Sequence, residues 1–124
     1  MDKSILVVDD SGTVRKFVSV ALEMQGFTVI TACDGMDALE KLPEQHVDLV
    51  ITDLNMPNMD GLELIRTLRQ TDEYRELPVI VLSSLSDPVS KQSGYEAGAF
   101  SYLVKPFSLE KVQYEVSKYL HWTD

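Results

Sequence analysis

Short apolar runs alternate along the chain with stretches in which apolar residues recur every three or four positions. The runs are Ser4 to Val8, Thr28 to Ala32, Leu49 to Thr52, Val79 to Leu82 and Tyr102 to Val104. They are nearly continuous and rich in β-branched residues, which predicts strands covered on both faces, as in a parallel sheet. The intervening stretches predict the covering helices. Val14 to Met24 places Val14, Phe17, Val18, Ala21 and Leu22 on one face and Arg15, Ser19 and Glu23 on the other, with Gly26 as a left-handed stop. Met36 to Leu42 follows the turn dipeptide Asp34-Gly35, and Gly61 to Gln70 repeats Leu62, Ile65 and Leu68 at helical spacing. A fourth helix starts at Asp87-Pro88, a cap residue followed by proline at the first helical position. Its Ser90, Ser93 and Gly94 have weak helix propensity, so it is expected to be the most mobile. The last helix, Leu109 to Leu120, opens with Ser108 as N-cap and turns Val112, Val116, Tyr119 and Leu120 inward.

Strand and helix units in strict alternation predict a doubly wound α/β sandwich, because parallel neighbours need helical crossovers of one hand. A (βα)8 barrel needs about twice the length. In open α/β sheets, ligands bind beyond the carboxyl ends of the strands. The first strand runs into Asp9-Asp10, the third into Asp53, the fourth into Ser83-Ser84 and the fifth into Lys105-Pro106. Each has an ordinary explanation when taken singly. Asp9, Asp10 and Ser11 can cap the first helix, Ser83 can be a turn residue, and Lys105 can be a solvated lysine at a strand end. Asp53 is harder to explain this way. A carboxylate directly after buried Val50-Ile51 needs a partner, and Asp9 and Asp10 have the wrong sign unless a cation sits among them.

Composition narrows the function. With 124 residues, 44% hydrophobic and 25% charged, the chain is expected to form one globular domain over residues 1–124 and to bury a core without disulfides or structural metal. Eleven basic against twenty acidic residues give a net charge of −9, which argues against nonspecific binding to nucleic acid or to an anionic membrane. The single cysteine, Cys33, and the lack of a charged-then-apolar leader predict a reducing cytoplasm, and no apolar run reaches transmembrane length. The clustered carboxylates offer hard oxygens suited to Mg2+, with Mn2+ as a substitute. His46 and His121 lie outside this constellation and no cysteine joins it, which argues against a softer transition-metal site. Asp53 can act as a nucleophile on a phosphoryl donor, with the metal and Lys105 neutralising charge on the transferring oxygens.

The acidic pair in Val7-Val8-Asp9-Asp10-Ser11 is followed by Asp53-Leu54-Asn55-Met56-Pro57, Met59-Asp60-Gly61, Ser83 after an apolar strand, and Lys105-Pro106-Phe107. Together, and in this order, these segments closely resemble the receiver domains of two-component response regulators, particularly the single-domain chemotaxis type. The resemblance covers essentially the whole chain. It implies a flavodoxin-like sheet of strand order 2-1-3-4-5 and Asp53 as phosphoacceptor. It also implies Asp10, Asp53 and the backbone carbonyl of Asn55 as magnesium ligands, with Asp9 supporting the metal through water. Lys105 would contact the phosphoryl group or Asp53. Ser83 would hydrogen-bond a phosphoryl oxygen and draw its loop inward, followed by Tyr102 at the aromatic switch position; a partly buried strand aromatic is the plainer reading of Tyr102. Met56, Leu85 and Pro106 would flank the site, with a cis peptide before Pro106.

The same resemblance implies a histidine kinase as phosphodonor and a downstream protein, such as a flagellar motor switch, as target. That target would read the face formed by the fourth helix, fifth strand and fifth helix, including Lys91, Tyr95 and Tyr102. Direct nucleic-acid binding and membrane insertion are not expected, and the molecule is expected to be a monomer that is not an enzyme beyond its own phosphorylation and dephosphorylation. Leu85 cannot orient water, Asn55 can, and neither is a general base, so loss of the phosphoryl group is expected to be neither absent nor unusually fast. Trp122 is too near the C-terminus to report metal binding. A phosphorelay intermediate, or a receiver cut from a longer regulator, remains open. A flavodoxin-like cofactor carrier conflicts with acidic residues in the first loop, a small-molecule phosphohydrolase with the lack of a cap, and a degenerate binding module with the filled acidic and lysine positions.

Overall fold

The computed structural model describes residues 3–120. Five parallel strands, β1 (Ser4–Val8), β2 (Thr28–Ala32), β3 (Leu49–Thr52), β4 (Val79–Ser83) and β5 (Ser101–Val104), form one sheet of order β2-β1-β3-β4-β5. The helices α1 (Gly12–Glu23), α2 (Gly35–Lys41), α3 (Gly61–Gln70), α4 (Pro88–Ala97) and α5 (Leu109–Ser117) connect or follow them. This is the doubly wound flavodoxin-like arrangement expected from the alternation and the family resemblance.

Alternate strand residues feed two cores. Leu6, Val8, Val50, Val79 and Val81 pack with Ala38, Leu64, Ile65, Leu68 and Ala97 on the face covered by α2, α3 and α4. Ile5, Val7, Leu49, Ile51, Ile80, Leu82 and Leu103 pack with Val18, Leu22, Val112 and Val116 under α1 and α5. Burial on both faces explains why the strands read as continuous apolar runs.

Differences from the sequence reading are local and have causes. α1 begins at Gly12 because the Ser11 hydroxyl accepts the Val14 N–H, and α2 begins at Gly35 because Asp34 accepts the Asp37 N–H. Pro43 falls in a 3₁₀ turn, Leu42–Glu44, after α2. Gly26 does close α1: its φ is +96°, its N–H donates to the Glu23 carbonyl, and Phe27 N–H donates to that of Leu22. Phe17, expected inward, is 40% exposed, because the buried stripe centres on Val18, Ala21 and Leu22 and leaves Phe17 at its edge against the Phe107 ring. Ser19, expected outward, is half-buried at the opposite edge. Regular α5 geometry ends at Ser117, although Leu120 is still buried. His121 and Trp122 lie outside the described residues. Among the described residues, no helix is long and apolar enough to cross a membrane.

Candidate functional site

Sheet register brings the chemistry together. Val8 pairs with Thr52, so Asp9 and Asp53 leave adjacent central strands side by side, and the Asp53 N–H donates to the Val8 carbonyl at 3.0 Å. Ser83 pairs with Val104, and the Lys105 N–H donates to the Ser83 carbonyl at 2.8 Å. The predicted residues Asp9, Asp53, Ser83 and Lys105 thus all lie on the carboxyl rim of the sheet.

Asp9, Asp10 and Asp53 each present a carboxylate oxygen within 4.8 Å of the others. Asp9 and Asp53 are buried and Asp10 is exposed, so the cluster opens to solvent on the Asp10 side. Lys105 Nζ lies 3.2 Å from Asp9 Oδ2 and 3.3 Å from Asp53 Oδ2. Three carboxylates facing one ammonium leave negative charge in excess, and hard oxygen donors of this kind suit a divalent cation. The residues present therefore fit a metal.

Burial pushes the Asp53 carboxyl above its ordinary pKa; the Lys105 charge opposes this and the Asp9 charge adds to it. Burial alone would lower Lys105, but Asp53 and Asp9 hold it above its usual value and so firmly charged. The other Asp53 oxygen, Oδ1, accepts the Leu54 N–H at 2.7 Å, which fixes the carboxylate plane. Asp9 Oδ1 accepts the Ser11 N–H at 2.9 Å, so one acid serves both the start of α1 and the cluster.

The remaining predicted residues lie on β4, β5, α4 and the loops that follow β3, β4 and β5. Ser83 is completely buried, and its hydroxyl accepts the Leu85 N–H at 3.1 Å. Tyr102 is half-buried, and its hydroxyl donates to the Leu85 carbonyl at 2.7 Å, so both backbone groups of Leu85 are held. Asn55 is exposed and lines, with Leu54, Asp60, Leu62, Leu85, Val89, Ser90 and Ser93, a small cavity of about 130 Å³ between the β3–α3 loop and α4. Met56 packs partly against the core. The Lys105-Pro106 peptide is cis, as the resemblance implied. Lys91 and Tyr95 lie on α4, where the Tyr95 ring packs 6.5 Å from that of Tyr102. His46 is exposed and pairs with Asp48, away from the site.

Several contributors escaped the sequence reading. Arg15 Nη1 donates to the Asp9 carbonyl at 2.6 Å, and the buried Thr52 hydroxyl donates to the Asp53 carbonyl at 2.8 Å. Thr52 left a trace, a hydroxyl residue closing an apolar strand, whereas Arg15 looks like any surface residue of α1. Gly61 is required by close approach: a Cβ there would lie 2.1 Å from the Asp53 carbonyl oxygen.

Known proteins resemble this chain in architecture and in sequence. The response regulator receiver domain family matches residues 5–117. The response regulator MprA of Mycobacterium ulcerans is 41% identical over 112 residues, 90% of this chain and 47% of its own length. The chain spans about half the length of several curated relatives it matches. The chemotaxis protein CheY4 of Vibrio cholerae superposes with a TM-score of 0.91 at 37% identity, covering 97% of this chain and 100% of that one. The receiver domain of the sensor histidine kinase PA1611 from Pseudomonas aeruginosa, solved with a magnesium ion in its active-site cleft, gives 0.87 at 25% identity over 96% and 98% of the two chains. Fold, strand-end acids and a family match across almost the whole sequence agree, and the chain belongs to the response regulator receiver domain family.

Proposed function

We propose that the chain is a phosphorylation-activated switch in which Asp53 accepts a phosphoryl group from the phosphohistidine of a histidine kinase. An Asp53 carboxylate oxygen attacks phosphorus, a P–O bond forms, and the P–N bond breaks with its electron pair returning to the histidine nitrogen. Asp10, Asp53 and the Asn55 carbonyl would hold Mg2+, or Mn2+ in its place, with Asp9 acting through water. When bound, the ion supplies positive charge against the transferring oxygens. Lys105 supplies the protein's own cation to the same oxygens. The observation that carries this reading is the Asp9–Asp10–Asp53 cluster with Lys105 Nζ within 3.3 Å of two of its members.

Transfer adds about 1.5 to 2 negative charges at Asp53. The Ser83 hydroxyl then donates to a phosphoryl oxygen, and through Leu85 it favours the inward position of Tyr102. Because the Tyr102 hydroxyl already meets the Leu85 carbonyl here, phosphorylation acts by shifting a population and does not have to create the contact. The face built by α4, β5 and α5 is what a target protein reads. The likeness to CheY4 over that protein's whole length supports a chemotaxis role; the target in this reading is a flagellar motor switch, and the acting form is a cytoplasmic monomer. Relatives of about twice this length favour a second reading, a receiver working within a longer regulator or a phosphorelay. Binding to a purified motor switch protein that strengthens with beryllofluoride supports the first reading; no binding with or without it favours the second.

Intact mass after incubation with acetyl phosphate tests the site directly. Wild type should gain a single phosphoryl adduct with Mg2+ and none with EDTA, and Asp53→Asn should gain none. An adduct that persists in Asp53→Asn would refute Asp53 as acceptor. If wild type gains no adduct and fails to bind beryllofluoride with Mg2+, the whole reading falls.

A further inference from the structure

The loop between β3 and α3, residues 53–60, carries Asn55, and it is gripped from a side where none of the proposed ligands lies. Asp34, only 6% exposed, gives one carboxylate oxygen to the Asp37 N–H at 2.8 Å, capping α2. Its other oxygen accepts the side-chain amide of Asn58 at 2.7 Å. Asn58 stands at φ +66°, in the left-handed region that asparagine tolerates better than most residues. One residue further along each segment, the Gly35 N–H at the start of α2 donates to the Met59 carbonyl at 3.2 Å. The approach is close: a Cβ on Gly35 would lie 2.6 Å from Met59 Cγ and 2.9 Å from its carbonyl oxygen. At the base, the Gly61 N–H donates to the Leu54 carbonyl at 2.9 Å. The loop is therefore closed below and clamped at its flank by two hydrogen bonds to the start of α2, one to its cap residue Asp34 and one from its first residue Gly35. The hydrogen bonds from the Asp37 N–H and, second, the Asn58 amide hold the Asp34 carboxyl below its usual range, so it remains a charged acceptor.

We propose that Asp34 and Asn58 are a positioning pair for the metal site, clamping the β3–α3 loop so that the Asn55 carbonyl is set in place before a cation arrives. This rests on the reading of Asp10, Asp53 and Asn55 as magnesium ligands. A backbone carbonyl on a free loop would have to be ordered by the ion at the expense of affinity, whereas a clamped one is already ordered. Groups that hold ligands without touching the metal commonly govern its affinity.

Calorimetric titration with Mg2+ of four versions of the 124-residue chain, the wild type among them, tests the pair. Asn58→Gly keeps the left-handed backbone accessible and removes the amide. Asp34→Asn leaves a single side-chain acceptor for two donors. The exchange Asp34→Asn with Asn58→Asp restores the pairing, because the new amide can donate to the new carboxylate while its oxygen still caps α2. Each single variant should weaken Mg2+ binding on the order of tenfold and the exchange should recover most of it. With acetyl phosphate, the single variants should need more Mg2+ for half-maximal phosphorylation yet reach the wild-type rate at saturation. If Asn58→Gly binds Mg2+ like wild type, even with a lower melting temperature, the pair merely staples the fold and the proposal fails. A folded exchange variant that binds no better than the singles also overturns it. Wild type that binds no Mg2+ overturns the site reading itself, and the clamp with it.

Discussion

Ser83 sits completely buried at the end of β4, and its hydroxyl uses a lone pair to accept the Leu85 N–H. A hydroxyl has one proton to give and two lone pairs, so it can donate to a phosphoryl oxygen without releasing Leu85. Replacing it with alanine leaves the Leu85 N–H without its acceptor, a loss of about 1 kcal/mol. Ser83→Ala is expected to form the Asp53 adduct normally, while the amide resonances of Leu85 and Tyr102 cease to respond to beryllofluoride. Responses of wild-type size in the variant would detach Ser83 from the switch. At this scale much of the site was legible in the sequence. Acidic and basic residues at the ends of apolar strands stand out because a buried strand otherwise excludes charge, and a hydroxyl at the same position gains weight from that company. Asp34 and Asn58 were not legible as partners. Their pairing depends on a positive φ and on two loops meeting across 24 positions of sequence, and no residue pattern carries that information.

α4 is fastened differently at its two ends. At the N-terminus Asp87 accepts both the N–H and the hydroxyl of Ser90, at 2.9 and 2.8 Å. Beyond the C-terminus, Arg69 of α3 donates from Nη2 to the Gly98 carbonyl at 2.7 Å and from Nη1 to that of Tyr74 at 3.0 Å, with its guanidinium 5.5 Å from the centre of the Phe100 ring. Arg69→Ala should lower stability by about 1–3 kcal/mol in urea unfolding, since two carbonyls lose a charged donor. An unchanged midpoint would show the anchor to be idle. The cap carries a pH signature. Its hydrogen bonds hold the Asp87 carboxyl below the ordinary range, so its contribution is complete above that range and is lost as pH falls through the lowered value. Amide protection at Ser90 and Lys91 should therefore hold down to mildly acidic pH and fade below it, and in Asp87→Ala it should be weak throughout. The helix and its cap were readable from Asp87-Pro88. The anchor was not, because Arg69 acts on main-chain carbonyls and looks in sequence like any charge on the outer face of α3.

For the whole molecule, folding gathers three carboxylates of a chain already at net charge −9 onto one rim. A cation bound only by the folded form stabilises it by mass action, about 2.7 kcal/mol at a hundred times the dissociation constant. Mg2+ should thus raise the melting temperature by several degrees, EDTA should reverse the rise, and Asp10→Asn should largely abolish it; an equal rise in that variant would place the ion elsewhere. Strand order belongs to this scale too: alternation predicted parallel strands, but their order came from family likeness, because short apolar runs do not encode which neighbour each one chooses. The tie at Leu85 has its own consequence for how such molecules diversify. Ser83 and Tyr102 grasp only the main chain of residue 85, which any amino acid other than proline supplies. Its side chain answers to a separate demand, packing partly against the core on the face under α3 and α4, so an apolar exchange at position 85 can retune that packing while the tie to Ser83 and Tyr102 keeps the same form.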